Sequence, residues 1–413
     1  MWKQPWGYKE GFTICGGLFF IGLLLQITIG GIDWNLLAFP INLIILLVYL
    51  FAIILISLFP RKLYLFRWMG QSSAAVTSMI GVVVITVIMG LIRQKPAHIS
   101  VTSFEAWFGF SQMLSAWPFI LLYGWFTTLL GVVTFRRLFS FRWKSIPFLL
   151  SHAGLFIALI GAVFGSSDMQ RLEMTTTIGK PEWRAFDQQK NMKELSVAIE
   201  LNNFTIDEYP PKLMLIDNET GKALPEGKPV NLLLEEEFQS GNLLDWEITL
   251  EQRIPEAASM NTPDTVKFVE FYSMGAAYAV YVKAENRQTH EYKEGWVSCG
   301  SFMFPYKAIR LNERMSLIMP EREPRRYASD VTVYTEAGET MQTTIEVNKP
   351  FAIDGWKIYQ LSYDESKGKW SNISVFELVK DPWLPVVYVG IWMIIAGAVC
   401  MFVTAGKREE AKS

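Results

Sequence analysis

The sequence predicts an α-helical membrane protein with six spans and a large β-rich extracytoplasmic domain inserted between spans 5 and 6. Three observations predict it. Hydrophobic residues make up 51% of the chain and charged residues only 19%. Six apolar runs approach the roughly 20 residues that a helix needs to cross about 30 Å of hydrocarbon. Residues 167–382, between the fifth and sixth runs, show strand-like alternation instead.

The chain has 413 residues, with 15 Trp, 15 Tyr and 28 Phe, too apolar and aromatic for an ordinary soluble domain or a disordered chain. Its 38 Lys+Arg against 40 Asp+Glu leave a net charge of −2, which removes a bulk electrostatic case for nucleic acid. Three cysteines and no Cys-x-x-Cys argue against a disulfide framework, a thiol oxidoreductase and a c-type cytochrome carrying its own haem. Three histidines argue against a multi-His metal enzyme. No Walker loop, dinucleotide fingerprint, Gly-x-Ser-x-Gly elbow or His-Glu-x-x-His occurs.

The runs lie at 11–31, 37–59, 73–92, 116–135, 146–166 and 385–405. The first lacks a small-x-small cleavage site and is followed at once by a second, so it reads as a retained span rather than a signal peptide. The expected divisions are residues 1–72, two N-terminal spans with a cytoplasmic loop; 73–166, a three-span core; 167–382, the β-rich domain; and 383–413, the closing span and tail.

Orientation follows from the short-loop cations. Lys3 and Lys9, then Arg61, Lys62 and Arg67, then Arg136, Arg137, Arg142 and Lys144, and finally Lys407, Arg408 and Lys412 fall on one side of a six-span chain. The opposite short loops hold Arg93 and Lys95. Twelve against two places both termini in the cytoplasm and residues 167–382 outside a cytoplasmic (inner) membrane. In that segment, strands are expected near 195–201, 247–251, 277–284, 331–335 and 372–379, with a hairpin turn across 335–343. It has no paired cysteines, so packing alone must stabilise it.

His152 is the residue best placed for chemistry. It lies in span 5, about 9 Å from its start at 1.5 Å per residue. An ionisable side chain at that depth usually faces a partner or a cavity, and neutral imidazole is a good iron ligand in a low-dielectric site. An interhelical hydrogen bond, or a ring that stays wet near the interface, is the alternative. Gly154, Ala158 and Ala162, with Gly161 and Gly165 close by, make a small-residue face that admits either a neighbouring helix or a flat ligand. His98 and His290 read as exposed polar residues, and Cys299 stands alone. The aromatic stretch 104–119 suggests an interfacial amphipathic helix. Trp117, Trp125 and Trp143 suit the aromatic belt.

Several segments together resemble the ResB (CcsB) family of System II cytochrome c maturation. They are Ser115-Ala116-Trp117-Pro118-Phe119, Arg136-Arg137, and Pro147-Phe148-Leu149-Leu150-Ser151-His152-Ala153-Gly154-Leu155. The likeness resumes at Tyr327-Ala328-Ser329-Asp330-Val331 and Asn348-Lys349-Pro350-Phe351. It continues through Asp354-Gly355-Trp356-Lys357-Ile358-Tyr359-Gln360, Ser362-Tyr363-Asp364 and Asp381-Pro382. It covers residues 73–405, in the order three spans, large outer domain, closing span; spans 1 and 2 are additional to the family's usual plan.

The resemblance implies a membrane component that hands haem to apocytochrome c, as a non-catalytic subunit of a haem lyase complex. It makes His152 a transmembrane axial ligand to haem iron. It also implies a ResC/CcsA-type partner bearing the tryptophan-rich WWD segment, which this chain lacks. A haem-free transporter and an envelope scaffold are the rival readings. Gly355 suits a turn that needs positive φ, and Tyr359 and Tyr363 read as core or edge aromatics.

Overall fold

The computed structural model describes residues 2–59, 62–95, 107–261 and 266–410. Its helices are α1 (Tyr8–Ile29), α2 (Ile41–Leu58), the short α3 (Tyr64–Trp68), α4 (Ser72–Leu91), α5 (Trp117–Phe139), α6 (Ile146–Ser166) and α7 (Leu384–Glu410). Among the described residues, all of these except α3 are long and apolar enough to cross a bilayer, so the six expected spans are present and the chain is a membrane protein.

Local chemistry sets the ends. The second helix begins at Ile41 rather than 37, because Asp33 caps a 3₁₀ turn over Trp34–Leu37 and Pro40 follows. Pro118 and Pro147 sit in the first turns of α5 and α6, where a missing N–H is harmless. The aromatic stretch 104–119 differs from expectation. Residues 104–106 lie outside the described residues, and from Trp107 onward there is no continuous amphipathic helix. Gly109 takes φ +75° and Gln112 is non-helical, leaving a 3₁₀ run over Phe110–Ser115. The Gln94 side-chain amide binds the Phe110 carbonyl and the Met113 N–H, at 2.9 and 3.0 Å. Met113 is thereby buried beside Cys15, Ile85 and Phe119 instead of lying on a membrane surface.

Clustering of contacts divides the chain into a helical unit, Met1–Gln170 with Lys380–Ser413, and a β unit, Arg171–Val379. In the helical unit α5 is central and touches α1, α2, α4 and α6. The closest pairing is α6 on α7, through facing glycines. A Cβ on Gly390 would fall 2.6 Å from the Gly154 carbonyl oxygen and 2.7 Å from the Ala158 nitrogen. One on Gly154 would fall 2.6 Å from the Gly390 oxygen. Only small residues permit this approach, and in lipid it supplies the packing that drives helix association.

The β unit carries three sheets. Its strands are β1 (Gln170–Thr177), β2 (Glu182–Phe186), β3 (Met192–Glu208), β4 (Lys212–Asp217), β5 (Asn231–Leu233), β6 (Ser240–Leu243), β7 (Trp246–Asn261), β8 (Val266–Glu270) and β9 (Ala277–Asn286). They continue with β10 (Tyr292–Ser298), β11 (Ile309–Arg310), β12 (Met315–Ile318), β13 (Pro324–Thr335), β14 (Thr340–Glu346), β15 (Phe351–Ile353), β16 (Trp356–Tyr363) and β17 (Ile373–Lys380). Every strand expected from alternation coincides with one of these, with only residue 372 lying one position ahead of β17, and the turn across 335–343 joins β13 to β14 with Gly338 at φ +81°.

The eight-stranded sheet runs β14-β13-β3-β2-β1-β17-β16-β15. It curls, because β14 touches β16 near the other end of that order. Leu172, Ile199, Val331, Ile358 and Phe376 fill the interior it encloses. The four-stranded sheet β11-β12-β4-β5 and the sheet β10-β9-β7-β6, with β8 on β7, share a second core. Leu213, Leu317, Trp246, Val280 and Val297 meet there. Asp354 and Gly355, at φ +49° and +78°, form the two-residue turn between β15 and β16, as expected for Gly355.

Candidate functional site

His152 lies in α6, six residues past its first residue, and is half-buried. Its Nδ1 is 3.1 Å from the carbonyl oxygen of Phe148, one helical turn back. A carbonyl can only accept, so Nδ1 carries the hydrogen, and in the neutral ring the lone pair sits on Nε2. The Phe148 ring stacks on the imidazole with centroids 3.7 Å apart and planes 21° from parallel, which limits its rotation. Nε2 has no hydrogen-bond partner among the described residues.

The imidazole lines a groove of about 380 Å³ in the helical unit. Ala75, Ser78 and Met79 of α4, Leu129 and Val133 of α5, and Ile394 of α7 form parts of its wall. The hydroxyls of Ser78 and Ser151 donate to the carbonyls of Ala75 and Pro147, so they are spent within their own helices. Imidazole nitrogen is therefore the strongest metal-binding donor that this wall presents, with the Met79 thioether as the softer one. The volume is in the range of small-molecule pockets, and Met79 is half exposed, so the groove opens sideways.

An imidazole nitrogen in an apolar groove is a donor set that would suit the iron of a flat, apolar macrocycle. Among the described residues, no group of three or more His, Cys, Asp or Glu could hold a bare metal ion. The small face of α6 has a different use. Gly154, Ala158 and Gly161 pack on α7, so that face takes a helix, not a ligand.

The other candidates separate. His98 lies outside the described residues. The His290 side chain is 80% exposed, 3.6 Å from Glu285, in the β9–β10 turn. Cys299 is half-buried in the β unit, and burial pushes its thiol up from the ordinary range. Trp143 is 80% exposed, as a belt residue would be. Trp117 instead donates to the Gly30 carbonyl at 2.9 Å, and Trp125 packs inside the bundle.

The segments quoted from the β unit are architectural. Ser329 Oγ lies 2.6 Å from Gln360 Oε1 and 2.7 Å from Ser374 Oγ, a buried network inside the curled sheet. Tyr327 and Tyr363 meet edge-on at 5.1 Å.

Sequence reading missed the carboxylate at the end of α6. Asp168 accepts from the Phe39 N–H at 2.7 Å, the Asn42 amide at 2.7 Å and the Trp383 indole at 2.6 Å. Burial opposes its charge, but the Trp383, Phe39 and Asn42 bonds outweigh that and hold the carboxyl below its usual range. A lone Asp just beyond an apolar run was the available signal.

Comparison with known proteins adds one match. The sequence model described as the ResB-like family matches residues 141–374. No curated protein sequence matches the chain.

Proposed function

Since the chain belongs to the ResB-like family and so takes part in cytochrome c biogenesis, we propose that within that process it holds haem in the membrane at His152. The observation that carries this reading is the hydrogen bond from His152 Nδ1 to the Phe148 carbonyl, which leaves the Nε2 lone pair for iron in an apolar groove.

In this reading Nε2 of His152 would hold the haem iron. The Phe148 carbonyl keeps the ring in the ligating tautomer, and its aromatic ring keeps the imidazole plane in place. The side chains of Leu129, Leu130 and Val133 line the same groove and would keep water from a bound haem. When bound, haem supplies a reducible iron and the vinyl groups that become thioethers on a Cys-x-x-Cys-His acceptor. The chain contributes holding and orientation, so it acts as a non-catalytic subunit. Its partner is a ResC/CcsA-type membrane protein with the WWD segment, which supplies the remaining ligands and delivers haem to apocytochrome c.

The loop cations orient the chain with both termini cytoplasmic and the β unit outside the inner membrane. His152 then lies toward the cytoplasmic leaflet, where a haem on its way outward enters.

The test is haem content of the purified complex, read from its visible spectrum. His152→Ala is expected to abolish haem co-purification and cytochrome c maturation. In His152→Gly, added imidazole is expected to restore the Soret band. Unchanged haem content and maturation in His152→Ala would reject the assignment.

A further inference from the structure

The β unit holds a second cavity that nothing above uses. It is a cleft of about 660 Å³ bounded by the loop from Cys299 to Tyr306, the turn Gly368–Trp370 and the chain entering β13. Its charges are unevenly matched. Arg322 is held by Glu208 at 2.7 Å, Lys367 lies 3.6 Å from Asp364, and Lys369 lies 3.8 Å from Glu256. Each cation of the wall thus has its own carboxylate. Glu321 and Glu365 also line the cleft, are exposed, and have no cationic partner among the described residues.

Aromatic surface lies beside this unmatched negative charge. Tyr306 is 70% exposed and Phe302 43%, far more than packing in a finished core allows, and Trp370 forms part of the wall. Gly300, at φ +72°, turns the loop that carries Phe302 and Tyr306 into the wall of the cleft. Carboxylates without partners next to aromatic faces select a cation joined to apolar groups. The volume exceeds what a single side chain fills.

We propose that this cleft binds an extended polypeptide in which Lys or Arg side chains alternate with apolar ones: the cations meet Glu321 and Glu365, and the apolar side chains meet Tyr306, Phe302 and Trp370. The site is separate from His152 and does not depend on haem binding there.

The experiment uses the full chain in nanodiscs of zwitterionic lipid. The probe is a fluorescein-labelled peptide of alternating lysine and phenylalanine, followed by fluorescence anisotropy. Saturable binding is expected, with affinity roughly tenfold weaker in the Glu321→Gln/Glu365→Gln double variant. Haem content and thermal midpoint should be unchanged in that variant. Should the double variant unfold, the wild type answers instead: binding must fall as ionic strength rises toward about 1 M. Equal affinity in the folded double variant, salt-independent binding, or equal binding of the peptide with glutamate in place of lysine overturns the proposal. So does displacement by spermidine at matched charge, which would make the cleft a small-polycation site.

Discussion

The Nδ1 of His152 and the carbonyl of Phe148 are joined by a 3.1 Å hydrogen bond within a single helix. The tautomer with its lone pair on Nε2 is therefore set by α6 itself and needs no neighbouring helix. The Phe148 ring stacked on the imidazole adds a second restraint that mutation can remove without touching the bond. Phe148→Ala is expected to lower haem content in the purified complex, leaving it above that of His152→Ala. Haem content equal to wild type would show that the stacking has no part in holding the ring.

Asp168, just past the end of α6, is the hub of three donors, two from the start of α2 (the Phe39 N–H and the Asn42 amide) and one from the approach to α7 (the Trp383 indole). In Asp168→Asn the amide can accept on one atom only, and its NH₂ faces donors. A loss of about 1 kcal/mol in stability is expected, the net worth of one hydrogen bond at this half-buried site. The pH dependence has a definite sign. The folded carboxyl titrates below its unfolded value, so its stabilisation is complete above the unfolded value of about 4 and is lost as pH falls through the folded one. Thermal unfolding in nanodiscs should show wild type losing its margin over Asp168→Asn as pH falls below about 4. A constant margin would mean that the carboxylate's charge contributes nothing.

The seam between α6 and α7 has no room for a methyl group at Gly390. Gly390→Ala forces the two backbones apart, and overpacking of this kind typically costs about 1–3 kcal/mol. The measurable outcome is a lower thermal midpoint in lipid and faster proteolysis of the purified chain. Gly17, with nothing near its Cβ position, is the control, and Gly17→Ala should unfold like wild type.

Burial raises the thiol of Cys299 above its ordinary value, with the Tyr278 carbonyl and Arg322 working weakly the other way. The reactive thiolate is therefore scarce at neutral pH. Iodoacetamide should modify Cys299 more slowly at pH 7 than it modifies free cysteine, and the midpoint of its rate–pH profile should lie above the value of about 8.5 at which a free thiol is half ionised. Mass spectrometry of the alkylated chain reads this out. A midpoint at about 8.5 would show an ordinary, solvated thiol.

Much of the architecture was legible in the residues. Run length gave the six spans, because a bilayer sets a length and little else. Period-two alternation located β3, β7, β9 and β17, and the Asp354-Gly355 pair marked its hairpin. The stretch 104–119 misled because apolar content alone cannot distinguish an interfacial helix from a loop folded into the bundle. The decisive residue there was Gly109, whose positive φ breaks the helix. His152 stood out as the ionisable residue in an apolar span, and Phe148 four residues earlier was readable at helical spacing. The groove around it was not, since α4, α5 and α7 reach it from distant parts of the sequence. The same holds for the cleft, where Glu208, Tyr306, Glu321 and Trp370 converge only through the sheet order. Ser329 and Gln360 belong to the segments that carry the family likeness, and their bond sits inside the curled sheet.

Asp168 and Trp383 meet at 2.6 Å, although they stand on either side of the entire β unit in the sequence. The backbone leaves the helices and re-enters them at one clasped doorway. In evolutionary terms this makes the β unit a cassette: a module whose two ends emerge side by side can lengthen, shrink or be exchanged for another without re-registering any transmembrane segment. The clasp, rather than the module it admits, is what selection on the membrane half must preserve.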